Sequence, residues 1–282
     1  MQLDLGGRIV DLSVPRVMGI LNVTPDSFSD GGDFVSVDRA LRRAEEMVDQ
    51  GAAIIDIGGE SSRPGARPVP EGEELRRVVP VVEALRARFD VPISVDTSKP
   101  GVMRAAVEAG AAMVNDIYAL RRPGALEVAA GLGVPVCLMH MQGTPETMQH
   151  EPRYRDVLAE VYGFLEQRVR ACRAAGIPQM HLLVDPGFGF GKTLDHNYTL
   201  LAGLKRFTTL GVPVLVGVSR KRMLGEVTGR GVRERLHAGV AAAAIAVHKG
   251  AHIVRTHDVG PTVDALAVVT AVRAHEHLEA VR

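Results

Sequence analysis

Short apolar runs that stop on polar or ionisable residues recur along this chain. The clearest is Leu182-Leu-Val-Asp185, followed by a Pro-Gly turn and a glycine-rich loop to Lys192, before a helical pattern opens at Leu194. A buried strand that ends on a carboxylate and breaks into a loop is how α/β enzymes set a reactive group at the carboxyl end of a strand. The other runs lead to Asn22, Asp96, Asn115, His140, Ser219-Arg-Lys221 and Arg255-Thr-His257. Sorted by chemistry, Asp96, Asn115 and Asp185 offer acceptors suited to a heterocycle with an amidine-like N–H edge, where a carboxylate takes two parallel hydrogen bonds. Arg63, Lys221, Arg255 and His257 supply positive charge. With Ser61, Ser62 and the Gly58-Gly59 amides they suit a phosphate or pyrophosphate. Asn22 brings an oxygen ligand for a hard cation such as Mg²⁺, which keeps most of its waters and leans on phosphate oxygens.

Other chemistries find less support. Gly191-Lys192-Thr193 imitates the end of a P-loop, but Pro186 stands where that motif needs glycine and has no N–H for a phosphate. Lys192 therefore reads as a solvent-facing side chain on a glycine loop. His248 and His252 are four apart, yet Gly250 ends the helical pattern between them, and no thiolate or paired-histidine zinc site is legible. Neither a Ser–His–Asp nor a Cys–His set can be assembled. Asp56, inside an apolar run, reads as a buried supporting carboxylate.

The elements that must position these groups alternate. Apolar runs at 17–21, 52–57, 91–95, 112–114, 134–139, 182–184, 214–218 and 253–254 are each followed by a helical period, at about 37–50, 71–89, 100–109, 124–132, 154–175, 194–207, 233–249 and 259–274. Strands that are apolar throughout expect cover on both faces. Eight strand–helix units in 282 residues, with no interdomain linker, predict one (β/α)₈ TIM barrel over residues 1–282, with a doubly wound sheet as the alternative. Leu3, Leu5, Ile9, Val10 and Leu12 around Gly6-Gly7 predict a short N-terminal β-hairpin. Lys+Arg and Asp+Glu both number 33, which excludes the basic excess of a nucleic-acid or membrane-surface binder. No apolar run approaches a membrane span. The first residues lack a basic stretch ahead of an apolar core. Cys137 and Cys172 sit in apolar patterns, as reduced thiols would. A cytoplasmic enzyme of small molecules is expected.

Taken together the motifs resemble one family, the dihydropteroate synthases. Met18-Gly-Ile-Leu-Asn-Val-Thr-Pro-Asp-Ser-Phe-Ser-Asp-Gly-Gly32 and Asp56-Ile-Gly-Gly-Glu-Ser-Ser-Arg-Pro-Gly65 are similar to its first two signatures. Ser94-Val-Asp-Thr97, Val114-Asn-Asp116, Asp185-Pro-Gly-Phe-Gly-Phe-Gly-Lys192, Gly217-Val-Ser-Arg-Lys221 and Arg255-Thr-His-Asp258 resemble the rest, in order. The resemblance implies condensation of 6-hydroxymethyl-7,8-dihydropterin diphosphate with p-aminobenzoate to dihydropteroate and pyrophosphate. It implies Mg²⁺-assisted departure of the diphosphate before arylamine attack, and a homodimer packed through late helices. It assigns Asp96, Asn115, Asp185 and Lys221 to the pterin, and Arg255 with Asn22, Ser62 and His257 to the diphosphate and Mg²⁺. Phe28, Ser62, Pro64, Phe190 and Lys221 then border the aminobenzoate, and Arg63, Met139, Gly217 and Ser219 complete the substrate-binding set. Asn22, Lys221, Arg255 and His257 are the expected catalytic group, and Asn22 the metal ligand. Arg222 stands where some members carry a serine near the aminobenzoate carboxylate, and offers an ion pair in its place. A pterin-binding relative without synthase activity, and the pterin-binding domain of a corrinoid methyltransferase, are the alternatives. The Gly-, Pro- and Ser-rich loops 23–33 and 58–67 are expected to act as lids.

Overall fold

The computed structural model describes residues 1–24 and 33–279. Strands β1 (Gln2–Leu5) and β2 (Arg8–Asp11) form the expected antiparallel hairpin, in register Leu3↔Val10. Gly6 and Gly7 turn it with φ of 66° and 87°, the left-handed pair that a two-residue turn needs and that glycine adopts without strain. The main sheet is parallel throughout. In chain order its strands are β3 (Arg16–Asn22), β4 (Ile54–Gly58), β5 (Ile93–Asp96), β6 (Met113–Asp116), β7 (Val136–Met139), β8 (Leu182–Asp185), β9 (Leu215–Val216) and β10 (Ile253–Thr256). Neighbours run β8-β7-β6-β5-β4-β3-β10-β9, and a parallel bridge from Val184 to Val214 joins the two ends. The sheet is therefore a closed eight-stranded barrel.

Around it lie α1 (Asp33–Asp49), α2 (Glu71–Arg88), α3 (Pro100–Glu108), α4 (Ala125–Leu132), α5 (Val157–Ala174), α6 (Leu194–Ala202), α7 (Arg222–Thr228), α8 (Leu236–His248) and α9 (Val259–Glu279). Local chemistry starts several of them. Pro100 opens α3, where a missing N–H costs nothing. Asp156 caps α5 by accepting from the Ala159 N–H at 3.0 Å, and Thr193 and His196 form a reciprocal cap on α6. The structure departs from the periodicity in three places. Helix α7 was not expected, since seven residues carry too little pattern to register. The stretch 194–207 breaks at Gly203 into α6 and a 3₁₀ turn, Leu204–Leu210. Leu158 packs so closely there that a Cβ on residue 203 would lie 2.6 Å from its Cδ2. The stretch 233–249 likewise divides into a 3₁₀ turn, Val232–Glu234, and α8.

Strand alternation sorts every side chain. Val17, Leu21, Ile55, Ile57, Val95, Val114, Leu138, Val184, Val216 and Val254 belong to the large core shared with the helices. The opposite parity points inward. Met18, Ile54, Met113, Cys137, Leu183, Leu215 and Ile253 fill the amino-terminal end of the barrel, and Leu3, Leu5, Val10 and Leu12 of the hairpin cap it from below. Two residues further along the strands, the same inward parity carries Asp56, Asn115, Met139, Asp185, Gly217 and Arg255. The candidate chemistry therefore sits on one layer, over a dry apolar floor.

Candidate functional site

The centre of that layer is a hydrogen-bonded chain of four side chains. Arg255 donates through Nε to Asp56 Oδ2 at 2.5 Å and through a terminal nitrogen to Asp96 Oδ2 at 2.7 Å. Asn115 Nδ2 donates to the same Asp56 oxygen at 3.2 Å. Asp56 is fully buried, and its Oδ1 and the neighbouring Ser94 hydroxyl have no hydrogen-bond partner among the described residues. Asp56 is thus the hub, a role its place in an apolar strand only hinted at. Burial raises Asp96 to about 7, with Arg255 opposing and Asp56 adding to the rise. Arg255 is raised above its ordinary value: burial opposes its charge, but Asp56 and Asp96 outweigh it. Strand register puts Asn22 beside Gly58 and Gly58 beside Asp96. A Cβ on residue 58 would lie 3.7 Å from both Asn22 Oδ1 and Asp96 Oδ2, so the two oxygens converge over a bare glycine.

Across the mouth stand Asp185, Lys221 and Phe190. Asp185 accepts from the Gly187 N–H at 2.7 Å, and burial raises its carboxyl although Lys221, Lys192 and Arg255 all pull it down. Lys221 Nζ lies 4.2 Å from the Phe190 ring centre, a cation–π contact. Burial lowers Lys221 to about 8. Met139, Met141, Met148 and Phe190 form an apolar cluster with Ile117 and Tyr118 against it, one greasy wall beside the polar set. No atom of the described residues lies within 4 Å of where a Cβ on Gly217 would be.

The outer part of the site is cationic. His257 is half-buried, and its backbone N–H donates to the Ser219 hydroxyl at 3.2 Å; it is the ring that titrates. Burial lowers it to about 4, and Arg255, Arg220 and Arg63 push the same way. Arg63 and Pro64 are exposed, and Ser61 and Ser62 line a cleft with Glu60, Asp96, Thr97, Tyr118 and Pro145. The loop that carries them is tied down at its base: Lys99 bridges Glu60 and Glu74, and Gly65 N–H reaches the Pro145 carbonyl at 3.0 Å. Phe28, with the rest of 25–32, lies outside the described residues.

Three expectations need correction. His140 does not join the rim. It follows Val136 and Leu138 in outward parity, its ring meets Phe164 of α5 edge-on at 4.9 Å, and burial lowers it to about 2. Lys192 does not face water. It is 3 % exposed, with Nζ 2.9 Å from His140 Nδ1 and donating to the Gly187 and Phe190 carbonyls at 2.8 and 2.9 Å. The glycine loop closes around its ammonium because Gly187, at φ 71°, lets the chain pass where a Cβ would overlap the His140 carbonyl at 1.9 Å. Arg222 is spent locally, on Glu226 at 2.6 Å, and is exposed.

Among the described residues no three His, Cys, Asp or Glu side chains gather as a complete metal site. A single amide oxygen from Asn22, opening on a cationic rim, suits a Mg²⁺ that would draw its other ligands from water and phosphate.

This geometry agrees with known relatives. The model of the family described as "Pterin binding enzyme" matches residues 18–257. A dihydropteroate synthase of Escherichia coli (strain K12) is 56% identical over 271 residues, covering 96% of each chain. A Yersinia pestis dihydropteroate synthase solved in a sulfonamide drug complex superposes with a TM-score of 0.93 at 54% identity, over 97% of this chain and 100% of that one. A Xanthomonas albilineans dihydropteroate synthase with 4-aminobenzoic acid gives 0.92 at 55% identity, over 97% and 98%. On the family match, this degree of identity and the shared fold, the chain belongs to the dihydropteroate synthase family of pterin-binding enzymes.

Proposed function

We propose that the chain condenses 6-hydroxymethyl-7,8-dihydropterin diphosphate with p-aminobenzoate, giving 7,8-dihydropteroate and pyrophosphate for folate synthesis. The observation that carries the reading is the inward layer itself. It sets carboxylates for an N–H edge, Asp96 and Asp185, deep in the barrel. It sets cations for a diphosphate beside them, Arg255 within the layer and His257 further out. Asp96, Asn115 and Asp185 hold the pterin edge, with Met139 and the space beside Gly217 receiving its faces. Lys221 and Phe190 separate the pterin from the aminobenzoate, which Ser62, Pro64 and Phe28 border. Arg255, His257, Arg63 and Ser219 receive the diphosphate. A Mg²⁺ held by Asn22 would neutralise charge on the phosphate oxygens.

The reaction exchanges one bond for another. The bond between the pterin methylene and the diphosphate oxygen breaks, and its electron pair leaves with pyrophosphate. The arylamine nitrogen then bonds to the methylene and loses a proton to water. Departure first leaves a cation conjugated with the ring, which Asp96 and Asp185 stabilise. An arylamine is already a nucleophile, so no general base is required. The chain works as one barrel domain in the cytoplasm. It works as a homodimer, a reading supported by Ile245 on α8 and Val268 and Val272 on α9, which are exposed.

The test is pyrophosphate release on mixing both substrates with Mg²⁺, against mixtures that lack one substrate or contain EDTA. Release must require both substrates and fall with EDTA. Pterin binding without release returns the chain to a pterin-binding relative that is no synthase.

A further inference from the structure

We propose that Lys192 is a positioning residue for the second substrate: its buried ammonium sets the fold of loop 186–192 and thereby holds Phe190 against Lys221. The proposal rests on the synthase reading only in taking Phe190 as a wall of the aminobenzoate pocket. The loop has no helix or strand to shape it, and side chains grip its carbonyls one by one. Gln149 donates to Gly189 O at 2.6 Å and the Tyr154 hydroxyl to Gly191 O at 2.8 Å. Among the described residues Lys192 alone takes two, Gly187 O and the carbonyl of Phe190 itself, the residue that presents the ring. Its Nζ also lies 3.4 Å from His140 O, so it ties the loop to the end of β7.

The fourth contact fixes a tautomer. A lysine ammonium has donors and no acceptor, so whenever Lys192 is charged its contact requires His140 Nδ1 to be the unprotonated nitrogen, with the hydrogen on Nε2. Burial keeps that ring neutral, with Lys192 and Arg121 reinforcing it. The charges facing Lys192 are Asp185, which favours its ammonium, and Lys221, which opposes it; burial, the largest influence, lowers it to about 7. The same Asp185 is capped by Gly187 N–H, and Phe190 N–H donates to Gly187 O at 3.1 Å. One cation thus links the pterin-side carboxylate to the ring on the aminobenzoate side, without touching either substrate.

The experiment compares wild type, Lys192→Met, Phe190→Leu and the double variant in steady-state kinetics with each substrate varied. Lys192→Met keeps length and removes every donor. It should raise the aminobenzoate KM about tenfold or more while the pterin diphosphate KM moves less than about threefold. In the Phe190→Leu background the same change should move the aminobenzoate KM by less than about threefold, because the ring it positions is gone. Equal effects on the two substrates, or a full effect without Phe190, overturn the proposal. If Lys192→Met does not fold, His140→Gln and His140→Leu decide. The first keeps an acceptor for the ammonium and should stay near wild type, and the second should raise the aminobenzoate KM. Indistinguishable His140 variants refute it. Amide exchange separates this claim from the synthase reading. Whatever the turnover, amides 187–191 should exchange at least about tenfold faster in the destabilised-loop variant that folds, with barrel amides unchanged. Unchanged loop exchange overturns the positioning role, whereas a wild type that releases no pyrophosphate overturns the synthase reading.

Discussion

Replacing Arg255 with Met tests the electrostatics of the barrel interior most directly. Arg255 pairs with both Asp56 and Asp96, at 2.5 and 2.7 Å. Met keeps most of the stem and deletes the charge. Removing one member of a buried pair costs about 3–5 kcal/mol, because the other charge is left unpaired. Asp56 is completely buried and already has one oxygen without a partner, while the Asp96 side chain keeps 12 % exposure. Solvent therefore helps one carboxylate and not the other, and a loss of about 3 kcal/mol, the lower end, is expected near neutral pH.

The loss should depend on pH with a definite sign. In the wild type Asp96 has a folded-state pKa of about 7 against an ordinary 3.8. Between those values the folded state binds more protons than the unfolded one, so this group's contribution to stability falls as pH rises and levels above about 7. Without Arg255 Asp96 is raised further and the window extends upward. The gap between wild type and variant should then be small at about pH 5.5, where Asp96 holds a proton, and widen by about pH 8. Urea unfolding at the two pH values measures it. Adding Asp56→Asn to Arg255→Met should recover part of the loss. A gap below about 1 kcal/mol, or one that does not widen with pH, refutes the account of Arg255 as counter-ion.

Two further outcomes follow from the same layer. Gly217→Val should leave the thermal midpoint nearly unchanged, since nothing lies within 4 Å of the new Cβ. It should weaken pterin binding about tenfold or more by calorimetry; unchanged affinity would mean that this glycine does not face the slot. His257, lowered to about 4 by burial and nearby cations, is neutral in the free protein near pH 7. An arriving pyrophosphate favours its protonated form, so binding takes up a proton and should tighten as pH falls from about 8 to about 5.5. His257→Ala should flatten that dependence, and a variant that keeps the full slope would reassign the proton elsewhere.

The barrel was legible because each strand is an apolar run closed by a polar residue, and the hairpin because Gly6-Gly7 leaves no other turn. What the runs could not say was which parity faces inward. In Ile54-Ile-Asp-Ile-Gly58 both faces of the strand are apolar at the start, so nothing local marks Asp56 as the hub between Arg255 and Asn115. Those partners stand 199 and 59 residues away. The same ambiguity misplaced His140: it follows β7 as Asp96 ends β5, but one residue later in the pleat, and so points to α5. Once parity is known from the apolar floor, both errors become predictable. Lys192 escaped for a different reason. Its four contacts lie in its own loop and at the end of β7, a geometry that depends on left-handed glycines at 187, 189 and 191.

The parity of the layer also explains how a chain with no net charge can hold both a polar ring and a diphosphate. Burying Asp56, Asp96 and Asp185 in one barrel mouth is unfavourable, and the protein offsets it incompletely: Asp56 Oδ1 and Ser94 Oγ have no partner among the described residues, and the Asp96 and Asp185 carboxyls are pushed toward protonation. A ligand that brings N–H donors relieves those groups, and the relief adds to its affinity. Arg255 and Lys221 play the opposite part. Arg255 is held by Asp56 and Asp96, and Lys221 lies over the Phe190 ring with Asp185 and Asp96 favouring its charge. A donor-rich ring carrying an anionic tail satisfies both halves at once, whereas either piece alone satisfies only one. The selectivity of the site for such a joined molecule then comes from the vertical order of charge along the strands, Asp56 below Asp96 and Arg255 between them, rather than from any excess of charge on the protein.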